Sequence, residues 1–158
     1  MIEIEIESDA WTVALPDAEA IVERAATAGL GSVEGGLVVL LTDDATVRDL
    51  NARFRGKDRP TNVLSFPGGD MPPFPDSGPG QPLHLGDIVL AFETCRDEAG
   101  AQGKSLAHHL MQLVVHGVLH LLGRDHEDET EAEAMEAEER TLLASLGVAD
   151  PYSLPDDL

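Results

Sequence analysis

Apolar residues recur along this chain with two different periods, and each change of period marks an element. Ile2, Ile4 and Ile6 alternate with Glu3, Glu5 and Glu7, the two-residue repeat of a strand with one face buried. Pro16-Asp17 then opens a segment carrying Ile21, Val22, Ala25 and Ala28 at helical spacing, which predicts a helix over about 17–28 that ends at Gly29. Leu37 to Leu41 is an apolar run of strand length. Behind it, Thr42 or Asp43 can cap a helix with Val47 and Leu50 on one face. Residues 61–66 and 86–90 read as two further strands, and a polar helical stretch runs from Glu93 to about Gln102 before Gly103. From Ser105, a candidate cap, the pattern stays helical to Leu122, with Gly123 just beyond, where a left-handed turn favours glycine. A last helix is expected from about Asp128 to Leu146, with Ala132, Met135, Leu142, Leu143 and Leu146 available to face inward.

Between the third and fourth strands, residues 67–82 hold six of the ten prolines together with several glycines, a composition that builds no packed element. The segment is expected to be a mobile Pro/Gly-rich loop. Interspersed strands and helices with a helical C-terminal half predict an α/β (α+β) fold, a small mixed sheet packed with about five helices. At 158 residues the chain is the size of one domain and long enough to bury a core without staples, so residues 1–158 are read as a single domain. Strand order does not follow from the pattern.

Composition narrows the function classes. The lone cysteine, Cys95, cannot form an internal disulfide, and the N-terminus lacks the basic start and apolar run of a signal peptide, so the expected location is the cytoplasm. The most apolar stretch, Leu110 to Leu122, is short of the roughly 20 apolar residues of a spanning helix. No membrane role is expected. A formal charge of −20 repels polyanions at long range, yet four of the ten basic residues, Arg53, Arg55, Lys57 and Arg59, fall within seven positions. Glu127 to Glu139 contributes eight acids in thirteen residues, which reads as a solvated helix face.

The chemistry concentrates at the end of the central helix. His116 and His120 are four apart, hence about 40° apart around the axis and roughly 6 Å along it, so both imidazoles can reach one ion. A turn at Gly123 would bring His126 back to the same point. Three neutral nitrogen ligands suit zinc, one ion per chain, and leave a fourth position for water, the arrangement of catalytic rather than structural sites. Another divalent transition metal remains compatible with imidazole ligands. His109, seven residues before His116, lies about 10 Å away along the axis, too far to share the ion. His84 and His108 are read as structural or exposed. The zinc-protease motif H-E-x-x-H needs a glutamate after its first ligand, and here Gly117 stands in that place. The peptidase reading thereby loses its general base.

The run from His116-Gly117-Val118-Leu119-His120 through Gly123-Arg124-Asp125-His126 resembles the signature of the YbeY family of bacterial metal-dependent endoribonucleases. Arg55-Gly56-Lys57-Asp58-Arg59-Pro60-Thr61-Asn62-Val63-Leu64-Ser65-Phe66-Pro67 and Leu85-Gly86-Asp87-Ile88-Val89 are similar to the family's two other marked segments, in the same order and spacing. The resemblance spans nearly the whole chain and is weakest over residues 1–35 and in the proline-rich loop. It implies an α/β fold, zinc on His116, His120 and His126, and cleavage of single-stranded RNA in ribosomal RNA maturation and ribosome quality control. Ribosomal RNA and the ribosome or its small subunit are the partners it implies, with no DNA expected. It also implies that Arg55 is the basic residue of the active site.

An arginine fork matches the non-bridging oxygens of a phosphodiester in a way a point charge does not, which suits Arg55 to catalysis. Asp125, beside a ligand, could orient an imidazole or be a plain surface aspartate. No general acid or base is named by the sequence, and either water or the ribose hydroxyl could attack. An alternative of another class is a ribosome-associated RNA-binding factor whose metal is structural and whose own hydrolysis is slight.

Overall fold

A computed structural model describes residues 2–33, 35–67, 84–122 and 129–147, and the side chains of all of these except 129–132. Its elements follow the two periods of the sequence. Strand β1 (Ile2–Ile6) is followed by α1 (Asp9–Ala14), α2 (Ala18–Leu30), β2 (Gly36–Thr42), α3 (Asp44–Arg55), β3 (Val63–Pro67), β4 (His84–Ala91), α4 (Phe92–Gln102), α5 (Leu106–Leu121) and α6 (Glu129–Ser145). The expected α/β class with a mixed sheet holds. Six helices stand among the described residues against about five expected, the additional one being α1. Six residues give no helical repeat to read; α1 is fixed instead by Trp11, fully buried, whose Nε1 donates to the Thr42 carbonyl at 2.8 Å. Two expected caps are in place. Asp43 accepts from the Thr46 amide at 2.9 Å, and Ser105 Oγ accepts from the His108 amide at 3.1 Å. Beyond Pro67, the expected loop over 67–82 lies outside the described residues.

The four strands lie in the order β1-β2-β4-β3, with β1, β2 and β4 parallel and β3 antiparallel to β4 on the edge. Alternation along the strands sends successive side chains to opposite faces. Leu37, Val39, Leu41, Ile88 and Leu90 join the larger core with α2 and α5, whereas Leu64, Phe66, Val89 and Ala91 meet Val47 of α3 on the other side. Helix α5 is central: it packs on α2, α4, α6, β3 and β4. Its apolar length, Leu110 to Leu119, is buried because it is surrounded by protein.

Two glycines let α5 settle onto the sheet. A Cβ on Gly117 would lie 3.1 Å from Ile88 Cδ1 and 3.2 Å from Ser65 Oγ, so the helix backbone rests almost on β3 and β4. Gly86, at φ 153°, faces the Phe66 carbonyl and the Leu121 side chain, and a Cβ there would collide with both. The end of α5 that carries the histidines is therefore held against the strand that follows the basic segment.

Candidate active site

His116 and His120 project from the last turns of α5, each half-buried. His126, Asp125 and Gly123 lie outside the described residues, so the third expected ligand and the expected turn have no described geometry. Among the described residues no group of three or more His, Cys, Asp or Glu side chains is gathered as a metal would need. The two described histidines nevertheless fit a metal in their chemistry. His116 donates its Nδ1–H to Glu139 Oε2 at 3.1 Å, and Glu139, on α6, is only 1% exposed. That hydrogen bond fixes the tautomer whose lone pair is on Nε2, the form that ligates a metal, and a carboxylate on the opposite ring nitrogen is the usual partner of a ligating histidine.

Glu139 was missed from the sequence because it ends a dense acidic run and reads as one more solvated charge. The signal was present. Met135, Glu139, Leu142 and Leu143 stand at i, i+4, i+7 and i+8, so Glu139 occupies a core position on the apolar stripe of α6. The reading of that run as a solvated helix face therefore fails at Glu139, since a buried carboxylate has to be hydrogen-bonded and a histidine across the helix interface supplies the donor.

His109 is also buried, and its Nε2–H donates to Glu98 Oε1 at 3.0 Å. The same oxygen accepts from Asn62 Nδ2 at 2.9 Å, and Asn62 Oδ1 accepts from the Val63 amide. This chain ties α5 and α4 to the start of β3. His109 thus anchors the strand. His84 pairs with Asp87 at 3.4 Å within β4, and His108 is exposed. Cys95 is buried with its Sγ 3.6 Å from the Asn62 carbonyl, and desolvation pushes its thiol far above the ordinary range.

The basic segment meets the histidine helix through β3. Arg55, last residue of α3, donates from Nη2 to the Ser65 carbonyl, while Ser65 Oγ faces Gly117 beside His116. Since β3 is an edge strand, its outward backbone needs partners from elsewhere, and Arg55 provides one. Its guanidinium also lies 5.3 Å from the Phe66 ring centroid. Beyond Arg55 the chain turns at Gly56, at φ 70°, and Asn51 holds the turn: its Nδ2 donates to the Arg59 carbonyl at 2.9 Å and its own carbonyl accepts from the Lys57 amide. A recess of about 380 Å³ opens there, lined by Asn51, Arg55, Lys57, Arg59, Thr61 and Leu64 among others.

Acids nearby are already taken. Arg48 forks onto Asp58 at 2.8 and 3.2 Å and holds its carboxyl below the usual range, and Asp49 pairs with Arg53 at 3.3 Å. Among the described residues Arg55, Lys57 and Arg59 have no ion-pair partner, so a locally positive surface persists on a chain of charge −20. Such a recess can take a phosphate backbone.

The family model described as Endoribonuclease YbeY matches residues 3–147. The chain is 57% identical over 156 residues to the protein named Endoribonuclease YbeY of Paramagnetospirillum magneticum, covering 96% of this chain and 94% of that one. It is 52% identical over 160 residues to the protein of the same name from Azorhizobium caulinodans, covering 98% and 97%. Among solved structures, the solution structure of TM1509 from Thermotoga maritima is similar, with a TM-score of 0.52 and 24% identity over 98% of this chain and all of that one. That likeness is one of fold.

Proposed function

The chain belongs to the YbeY family of endoribonucleases, and from that premise we propose that it hydrolyses single-stranded RNA with one zinc ion on His116, His120 and His126. In this reading ribosomal RNA is the substrate and the ribosome or its small subunit the partner, both resting on the family resemblance, and the cytoplasm is the place of action, resting on the lone cysteine. The observation that carries the metal is the buried carboxylate of Glu139 on His116 Nδ1. A ligating histidine gains basicity and a fixed ring plane from a carboxylate on its other nitrogen. His120 shares the helix face, and His126 completes the set beyond the described residues.

When bound, zinc supplies Lewis acidity toward a phosphoryl oxygen and acidifies a water ligand to near neutrality. The chain's own residues do the rest. Glu139 keeps His116 in one tautomer and one orientation. Arg55 offers its fork to the non-bridging oxygens of the reacting phosphate, where charge grows as the bond breaks, and Lys57 and Arg59 hold the flanking backbone by salt-dependent attraction. Gly117 gives no proton-transfer group next to His116, in keeping with a phosphodiester rather than a peptide substrate.

The test is incubation of purified protein with single-stranded and duplex RNA of the same sequence, with and without chelator. The expected result is internal cleavage of the single strand alone, abolished by chelator and restored by zinc. Metal bound in stoichiometric amount with no cleavage of either RNA would instead favour the ribosome-associated factor with a structural metal.

A further inference from the structure

Six aromatic residues occur in the chain, and four lie among the described residues. Trp11, Phe66 and Phe92 are buried, as a scarce aromatic complement should be, but Phe54 is 41% exposed. Leaving that ring in water gives up apolar burial that the other three keep. Its surroundings say what the exposure is for. Phe54 sits in the last turn of α3 between Arg53 and Arg55, with the Arg53 guanidinium 5.6 Å from its ring centroid. Beneath it the buried Phe66 meets it edge-on, centroids 5.7 Å apart at 71°, so the exposed ring is braced. Arg55 reaches from the same turn to Ser65, one strand from the histidine helix. The other large apolar residues exposed among those described, Val13 and Val33, carry no aromatic ring.

We propose that Phe54 is a stacking platform for an unpaired RNA base, and that this contact, flanked by Arg53 and Arg55, makes the site select single strands over duplex. The inference rests on the ribonuclease reading and adds its specificity device. An aromatic face beside cations, of which Arg55, Lys57 and Arg59 meet no acid among the described residues, is the combination that single-strand binders use: cations follow the backbone while any base can stack. A duplex keeps its bases stacked within the helix and offers phosphates alone, so it can engage Lys57 and Arg59 but not the ring. The positive surface on an otherwise acidic chain favours this occupant over an apolar protein partner.

The experiment is displacement of a labelled single strand, read by anisotropy at fixed salt on the metal-loaded protein before cleavage sets in. Three competitors are compared: a 12-nucleotide oligouridylate, an abasic strand of equal length, and a duplex. Phe54→Ala should weaken the oligouridylate about five- to a hundredfold, the range of one lost base stack, and leave the abasic strand and duplex within about twofold. Phe54→Trp should retain wild-type selectivity, and Phe54→Leu, which keeps an apolar cover over Phe66, should behave as the alanine variant does. Equal loss on the abasic strand would overturn the inference, because Phe54 would then only hold the arginines in place. So would full affinity for oligouridylate in both Phe54→Ala and Phe54→Leu. Because displacement needs no cleavage, a protein that fails to cut RNA breaks the hydrolase reading while these three affinities still judge the stacking contact.

Discussion

Two charged helices, α6 packed on α5 and α3 across the sheet from it, use charge in opposite ways. From Arg48 through the turn after α3 the charged groups stay in water. Arg48 and Arg53 meet Asp58 and Asp49 in exposed pairs that add little to stability, and Arg55, Lys57 and Arg59 meet no acid among the described residues. On α6 the excess is negative, but one acid leaves water: Glu139 is buried to 1% exposure and spent on His116. A buried charge is costly unless its partner is fixed, so the difference separates a surface built to attract from a contact built to orient. Counting charges along the sequence gives both helices the same weight. Burial shows that one carboxylate of the acidic helix is set against His116, whereas the basic strip lies on the surface apart from Arg55, which also reaches the strand beneath.

The comparison breaks first at Arg55. If it clamps the reacting phosphate, Arg55→Ala should lower kcat about a hundredfold or more, the size of a lost transition-state donor, with much less weakening of RNA binding and unchanged metal content. Arg55→Lys, which keeps a charge that can reach the Ser65 carbonyl, should recover the thermal melt without recovering the rate. Single-turnover cleavage beside a binding titration reads both. On α6, Glu139→Gln should weaken metal binding about ten- to a hundredfold in competition with a chelating dye, since an amide on Nδ1 lacks the charge that raises ligand basicity. Equal metal affinity in that variant would reduce Glu139 to a packing residue. Gly117→Glu probes the space between α5 and the sheet: its side chain would enter the 3.1–3.2 Å gap against Ile88 and Ser65, costing at least the ~1–3 kcal/mol of overpacking in a denaturant melt and generating no chelator-sensitive cleavage of casein. The smallest effect is expected at Arg59, where alanine should weaken binding only a few-fold and lower its salt slope by about one, with kcat kept.

Much of this arrangement was legible beforehand, and the gaps have physical reasons. Alternation at Ile2, Ile4 and Ile6, the caps at Asp43 and Ser105, and the helical run through His116 and His120 each carry their own local signal, and each element stands where that signal put it. Helix α1 carries none, because what stabilises it is a contact from Trp11 to Thr42, 31 residues away. Strand order likewise depends on which strands pair across long separations: β4 inserts between β2 and β3. Glu139 was hidden by its neighbours, since a composition of acids describes the helix as a whole and only the spacing from Met135 to Leu143 tells which acid faces inward. Arg55 was placed by motif, but its bond to Ser65, and hence its closeness to Gly117, came from the sheet.

All of this converges on one claim, that the histidines of α5 hold a metal on which RNA cleavage depends. The most direct measurement starts from metal-free protein and adds zinc stepwise, recording bound metal by elemental analysis and single-turnover cleavage of a labelled single-stranded RNA in the same samples. The account predicts that rate and occupancy rise together and level off at about one ion per chain, and that the variant carrying both His116→Ala and His120→Ala gains neither. Cleavage at full rate in the metal-free protein, or stoichiometric zinc in the double variant, would contradict it.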